Sequence, residues 1–105
     1  MATKKIEQVE WRRYFDTNGG ALHGRKATVQ VIGPDIGAQL AAQGLPIVGV
    51  TYDSKDQLLE IALDGLDHLI RHPQEIYVDE SPHGAMVFEA VDGEGRKHIV
   101  QVAGA

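Results

Sequence analysis

The chain has 105 residues, with ten Lys and Arg against fifteen Asp and Glu, 43% apolar residues and no cysteine. One domain's length without a thiol excludes disulfides, cysteine nucleophiles and cysteine-held metal clusters, so packing and backbone pairing must supply the stability. A net charge of −5 repels phosphate backbones and disfavours nucleic acid as a partner.

Residues 1–6 read as a loose lead. They carry two lysines and no apolar core, so they do not read as a secretion signal. No apolar run approaches the roughly 18 residues of a membrane span. The expected location is the cytoplasm. Residues 7–17, EQVEWRRYFDT, read as a short helix in which Trp11, Tyr14 and Phe15 form one apolar stripe at i, i+3 and i+4. Asn18-Gly19-Gly20 reads as its stop, because these residues accept the left-handed conformation that ends a helix. Arg12 and Arg13 then fall on the exposed side. So short a helix needs an apolar surface to dock on.

Ala27, Val29 and Val31 alternate with Thr28 and Gln30, the pattern of a half-buried strand, and Gly33-Pro34 ends it. Asp35 to Gln43 reads as one or two helical turns, with Asp35 as N-cap, Ile36 and Leu40 four apart, and Gly44 past the end. Two apolar runs, Ile47 to Tyr52 and Leu58 to Leu63, flank Asp53-Ser54-Lys55-Asp56 and read as a hairpin. Leu59, Ile61 and Leu63 form its inward set. Asp64-Gly65 breaks the second strand. Residues 66–73 are compatible with a helical turn or an extended connector, and Pro73 ends either one. Ile76 to Asp79 reads as a strand, Glu80 to Gly84 as a turn. Ala85 to Val91 and Lys97 to Val102 read as two strands around the glycine-rich loop Asp92-Gly93-Glu94-Gly95. Residues 103–105 read as a loose tail.

The sum is a single domain over residues 1–105 of the α+β class. An N-terminal amphipathic helix packs on an antiparallel sheet of about six strands, strongly twisted or partly closed like a barrel. No helix in the second half is long enough to cross between parallel strands. Glu10-Trp11, Phe15-Asp16, the run Gly33 to Gln39, Leu45-Pro46, Gly49, Tyr52-Asp53, Lys55-Asp56, Asp67 to Ile70 and His72-Pro73 together resemble a small uncharacterised bacterial family catalogued only as a domain of unknown function. The likeness spans residues 9–102. It implies a free-standing cytoplasmic domain and carries no activity. At fold level the helix and bent strands are similar to Sm-like and SH3-like barrels, a likeness that carries no function.

His68 and His72 are four apart. On a helix they would share a face and chelate a metal, with Asp64, Asp67 or His83 completing the set. The intervening Leu-Ile-Arg lacks the glutamate of a zinc-protease signature. Against the metal reading stands a polar connector whose histidines bond locally. Asp53, Asp56 and Glu60, with Asp79 and Glu80, offer paired carboxylates, yet Asp53 and Asp56 sit where aspartate normally bonds its own turn. Ser54 and Ser81 lie in no nucleophile elbow. Gly33 and Gly37 match no phosphate loop. With no cofactor motif, the reading is a non-catalytic binding or protein-interaction module, with a partner or homodimer reached through a sheet edge. The alternative is a small metal-dependent or ligand-processing enzyme using His68, His72 and nearby carboxylates.

Overall fold

In the computed structural model, which describes residues 3–81 and 85–104, one helix covers an open antiparallel sheet of eight strands. The elements are β1 (Lys4–Ile6), a 3-10 turn (Gln8–Glu10), α1 (Trp11–Leu22), β2 (Lys26–Gly33), β3 (Gly37–Asp53), β4 (Leu58–Leu63), β5 (Leu66–Arg71), β6 (Glu75–Glu80), β7 (Met86–Val91) and β8 (Lys97–Val102). Their order across the sheet is β1-β6-β7-β8-β2-β3-β4-β5. The helix and the antiparallel pairing agree with the sequence reading. The count of six strands does not, because β1 and β5 add two. The sheet is open, so the Sm-like and SH3-like comparison gains no support.

β1 lies in the stretch read as a loose lead. Lys4 and Lys5 stay exposed, but Ile6 is buried and the strand pairs with β6, Lys4 opposite Val78 and Ile6 opposite Ile76. One buried side chain in three residues leaves too short a pattern to read alone.

α1 begins at Trp11 and runs through Asn18-Gly19-Gly20 to Leu22. The Asn18 side-chain amide donates to the Tyr14 carbonyl at 2.8 Å, an i−4 bond that keeps the helix turning. Gly19 faces the sheet closely, since a Cβ there would come within 3.3 Å of the Val50 carbonyl oxygen. Buried Leu22 anchors the last turn, and Gly24, at φ +83°, ends it. Tertiary burial therefore overrides the local stop signal. Trp11 and Phe15 are buried as the stripe requires. Trp11 meets Tyr52 edge-on at 5.2 Å, Phe15 meets Phe88 at 5.7 Å, and the Trp11 indole donates to the Ile6 carbonyl at 2.8 Å.

The helical turns read over Asp35 to Gln43 are absent. Gly33 to Ile36 form a tight turn, with Pro34 second and the Ile36 N–H donating to the Gly33 carbonyl at 3.3 Å. β3 departs from it as a 17-residue strand. Its first half pairs with β2 and its second half with β4, so it carries the chain from one part of the sheet to the other. A register shift at Ala27 to Gln30, opposite Gly44 at φ +63°, bends that crossing. Ile36 and Leu40 are four apart without helix, because the hairpin with β2 takes the backbone bonds instead. Asp35 is thus no N-cap.

β3, β4 and β5 then form a meander. The expected inward set is buried, with Leu59 and Ile61 at 0% and Leu63 at 4% exposure. Residues 66–71 are strand, so the helical option for this segment falls away.

Candidate functional site

Three connections converge at one end of the sheet. They are the end of the β3–β4 turn at Gln57, the β5–β6 connection at residues 72–74, and the β7–β8 turn at residues 92–96. Between them lies a cleft of about 530 Å³ lined by Gln57, His72, Gln74, Asp92, Arg96 and His98, with Leu69, Arg71, Gly93 and Glu94.

The floor is a hydrogen-bonded chain. Asp92 opens the β7–β8 turn. Its Oδ1 accepts the N–H groups of Glu94 (2.9 Å) and Arg96 (3.0 Å), which fixes the turn and aims Oδ2 at His98. His98 Nε2 donates to that Oδ2 at 2.8 Å. With His98 neutral, its Nδ1 is left as acceptor toward the Nε2–H of His68, 2.9 Å away. His98 is 6% exposed, the one polar residue in the core of the described chain. Burial works to raise the Asp92 carboxyl, but the His98 bond and the two turn amides outweigh it and hold the group below its ordinary range. His68 is pushed from 6.5 down to about 4, first by burial and then by the neighbouring His98. His68 is therefore neutral at pH 7, and its Nδ1 is the free end of the chain.

The wall is built from a different pair. Gln57 (φ +50°) and His72 (φ +52°) are the two non-glycine residues with left-handed backbone among the described residues. They bond each other twice. The His72 N–H donates to the Gln57 carbonyl at 2.8 Å, and His72 Nδ1 donates to the Gln57 side-chain oxygen at 3.0 Å. His72 Nε2 remains as an acceptor. Gly93 sits against this imidazole, since a Cβ at that position would lie 3.0 Å from the His72 Cβ. Arg96 is held by Asp35 at 2.6 Å across the β2–β3 turn, and this bond lowers the Asp35 carboxyl. Gly33 leaves room for the pair, since a Cβ there would come within 2.9 Å of both the Arg96 Cγ and the Asp35 Oδ1.

The structure brings His68 and His72 to the same end of the sheet but gives them separate partners. With His68 in extended β5 and His72 just past its end, they are separated by about 13 Å along the chain, whereas a helix would stack them. Asp67 faces outward on β5, Asp64 lies in the β4–β5 turn, and His83 lies outside the described residues. No group of three or more His, Asp or Glu among the described residues is placed to hold a metal ion. Asp53 does what a turn aspartate does, its Oδ1 accepting the N–H groups of Lys55 (2.9 Å) and Asp56 (3.3 Å).

Asp92, His98, Gln57 and Arg96 were not singled out by the sequence reading. One signal was available: His98 is in phase with Val100 and Val102 on β8, as His68 is with Ile70 on β5. A polar side chain in a buried register needs a partner, and each of these histidines supplies the other's.

No helix of the described chain is long and apolar enough to cross a membrane. No solved structure matches the chain. An uncharacterized protein from the bacterium Aquifex aeolicus (strain VF5) is 38% identical over 103 residues, covering 97% of this chain and 93% of its own. Residues 2–104 match the model of a family of unknown function, DUF5335, and the chain belongs to that family.

Proposed function

We propose that this chain is a small, non-catalytic binding module that takes a small polar ligand in the cleft over Asp92, His98 and His72. The observation that carries the reading is the Gln57–His72 pair. Left-handed backbone at a non-glycine residue is disfavoured, and it clusters where function demands a fixed geometry. Here both such residues of the described chain meet on one wall of one cleft. The lining presents amides, imidazoles, guanidinium groups and the carboxylates of Asp92 and Glu94, and includes no serine, threonine, tyrosine or lysine. It is suited to hydrogen-bonding a polar molecule and holds no hydroxyl, thiol or amine nucleophile.

The test is an NMR titration of the whole chain with a panel of polar metabolites, following the amides of residues 57, 71–74 and 92–96 and the histidine rings. Saturable shifts confined to those groups support the reading, and shifts spread over the surface overturn it. Glycine at position 57 or 72 accepts φ near +50°. Gln57→Gly and His72→Gly are therefore expected to keep the fold's stability within about 1 kcal/mol while losing ligand shifts at least tenfold in affinity.

A second reading, a ligand-processing enzyme, rests on the carboxylate–imidazole–imidazole order of Asp92, His98 and His68. A carboxylate orienting an imidazole is the arrangement that positions a general base. A zinc titration separates the metal-dependent form of that reading, since it requires His68 and His72 to shift together.

A further inference from the structure

The strand edges of the sheet are not equally protected. β1 is three residues long and carries two exposed lysines, a blunted edge. β5, at the other end, is covered at Arg71, where its carbonyl accepts the Gly93 N–H, and just beyond, where the Gln74 N–H donates to the Val91 carbonyl. The first half of β3 differs from both. β2 pairs with one side of it, and the other side gains cover only from Pro46 onward, where the Pro46 carbonyl accepts the Asp64 N–H at 2.9 Å and β4 then pairs. The run Gly37–Ala41 lies before that cover, and residues 36–52 carry no charged side chain.

The direction of the peptide groups in this run follows from the hydrogen-bond alternation of the sheet. The Asp92 N–H donates to the Arg96 carbonyl at 2.9 Å. Carried through the registers of β7 with β8, β8 with β2 and β2 with β3, this bond makes Ile32 address Lys97 and Val31 address Gln39. Ala38 and Leu40 therefore turn their N–H and C=O groups to the open side, and no backbone bond of the described chain reaches them there. Their side chains lie on the face opposite the core, beside Ile32 and Gln30. Ile32 and Leu40 are 38% and 55% exposed, so an apolar patch adjoins an unpaired, uncharged edge.

We infer that the Gly37–Ala41 edge pairs antiparallel with the same edge of a second copy, in a two-fold register centred on Gln39. In that register Ala38 faces the partner's Leu40 on both sides of the axis, and each such pair exchanges N–H and C=O bonds in both directions. Gln39 faces the partner's Gln39 as a non-hydrogen-bonded pair. Its carboxamide donates to the Ile36 carbonyl at 3.0 Å and keeps its oxygen for the partner's amide. Centring on Leu40 instead sets Ala38 opposite the partner's Ala42, which addresses β2 past the register shift. Centring on Ala38 sets Leu40 opposite the partner's Ile36, whose N–H is already bonded to the Gly33 carbonyl. Only the Gln39 register uses both outward positions. It also brings Ile32 and Leu40 of the two copies together across the axis on the outer face. An edge run without charge or proline does nothing to repel its own copy, and it offers nothing to select an acidic or a basic partner.

A contact of this size lies at the weak end of protein interfaces, and dissociation on the order of 10–100 μM is expected. The test is sedimentation equilibrium of the full chain up to about 1 mM, joined to a cysteine scan that reads the register. The chain holds no cysteine, so each variant carries a single thiol. Residue 39 meets its own copy at a Cα separation of about 4.5 Å, within the span of a disulfide. Gln39→Cys is therefore expected to cross-link in oxidised glutathione at least about tenfold faster than Gln43→Cys at the same concentration. Leu40→Lys sets like charges beside the axis and is expected to raise the dissociation constant about tenfold, while salt leaves the parent dimer no weaker. Amide exchange at Ala38 and Leu40 should slow as concentration rises. A chain that stays monomeric overturns the inference, even where an added strand peptide protects those two amides. A dimer that Gln43→Cys traps as fast as Gln39→Cys, that Leu40→Lys leaves intact, or that gives Ala38 and Leu40 no protection overturns the register.

Discussion

His68 shows how one residue's surroundings become a property of the fold. In an unfolded chain its imidazole titrates at 6.5, and in the fold at about 4. Between those values the unfolded chain holds the extra proton, so stability rises with pH. The contribution is fully present above 6.5 and is lost as pH falls toward 4. Asp92, held below its ordinary range, acts with the same sign at lower pH. Denaturant unfolding across this window should therefore show a loss that His68→Gln flattens by about 1–3 kcal/mol. A variant with the same pH slope as the parent would show that burial beside His98 does not hold His68 neutral. The sequence displays both histidines in buried register on their strands. It does not display that they meet, because 30 residues separate them.

At the scale of elements, α1 separates burial from surface charge. Its stripe was legible because the 3.6-residue period is local: Trp11 and Phe15 are buried. Phe15→Ala should cost about 3–5 kcal/mol, from lost burial and the cavity left against Phe88. Arg12 pairs with Asp16 only at 3.8 Å, with side chains 73% and 57% exposed, so Arg12→Ala should stay within about 0.5 kcal/mol. Chemical denaturation of the two variants checks both numbers. The helix end was misread because Asn18-Gly19-Gly20 is a stop only when nothing beyond it gains by burial, and Leu22 does. Residues 35–43 were misread for a related reason. Two apolar residues four apart fit one helix face as well as they fit a bent strand, and Pro34 in its turn decides between them.

For the whole molecule, the unusual feature is how β5 is joined to the rest. Backbone bonds hold it to β4, while the His68–His98 side-chain pair joins it to β8 and the Gly93–Arg71 bond joins it to the β7–β8 turn. A side-chain joint weakens on protonation more readily than a strand ladder does. Hydrogen exchange on lowering the pH toward 4 should therefore release the β4–β5 amides before those of β7 and β8. Simultaneous release would mean that the sheet opens as one unit.

The class of object is set by local pattern along the chain. Alternation at period two and helical spacing at 3.6 are set by neighbours along the chain, and they located the helix, six of the eight strands and the inward face of β4. Length, charge and the missing thiols bounded the chemistry. The cleft is set by contacts between distant segments. Gln57, His72 and Asp92 come from three separate connections and His98 from β8, and the sheet's curvature brings them together. That curvature depends on β3 spanning both parts of the sheet. No local pattern encodes it, because the energy that favours it lies in contacts between residues far apart in the chain.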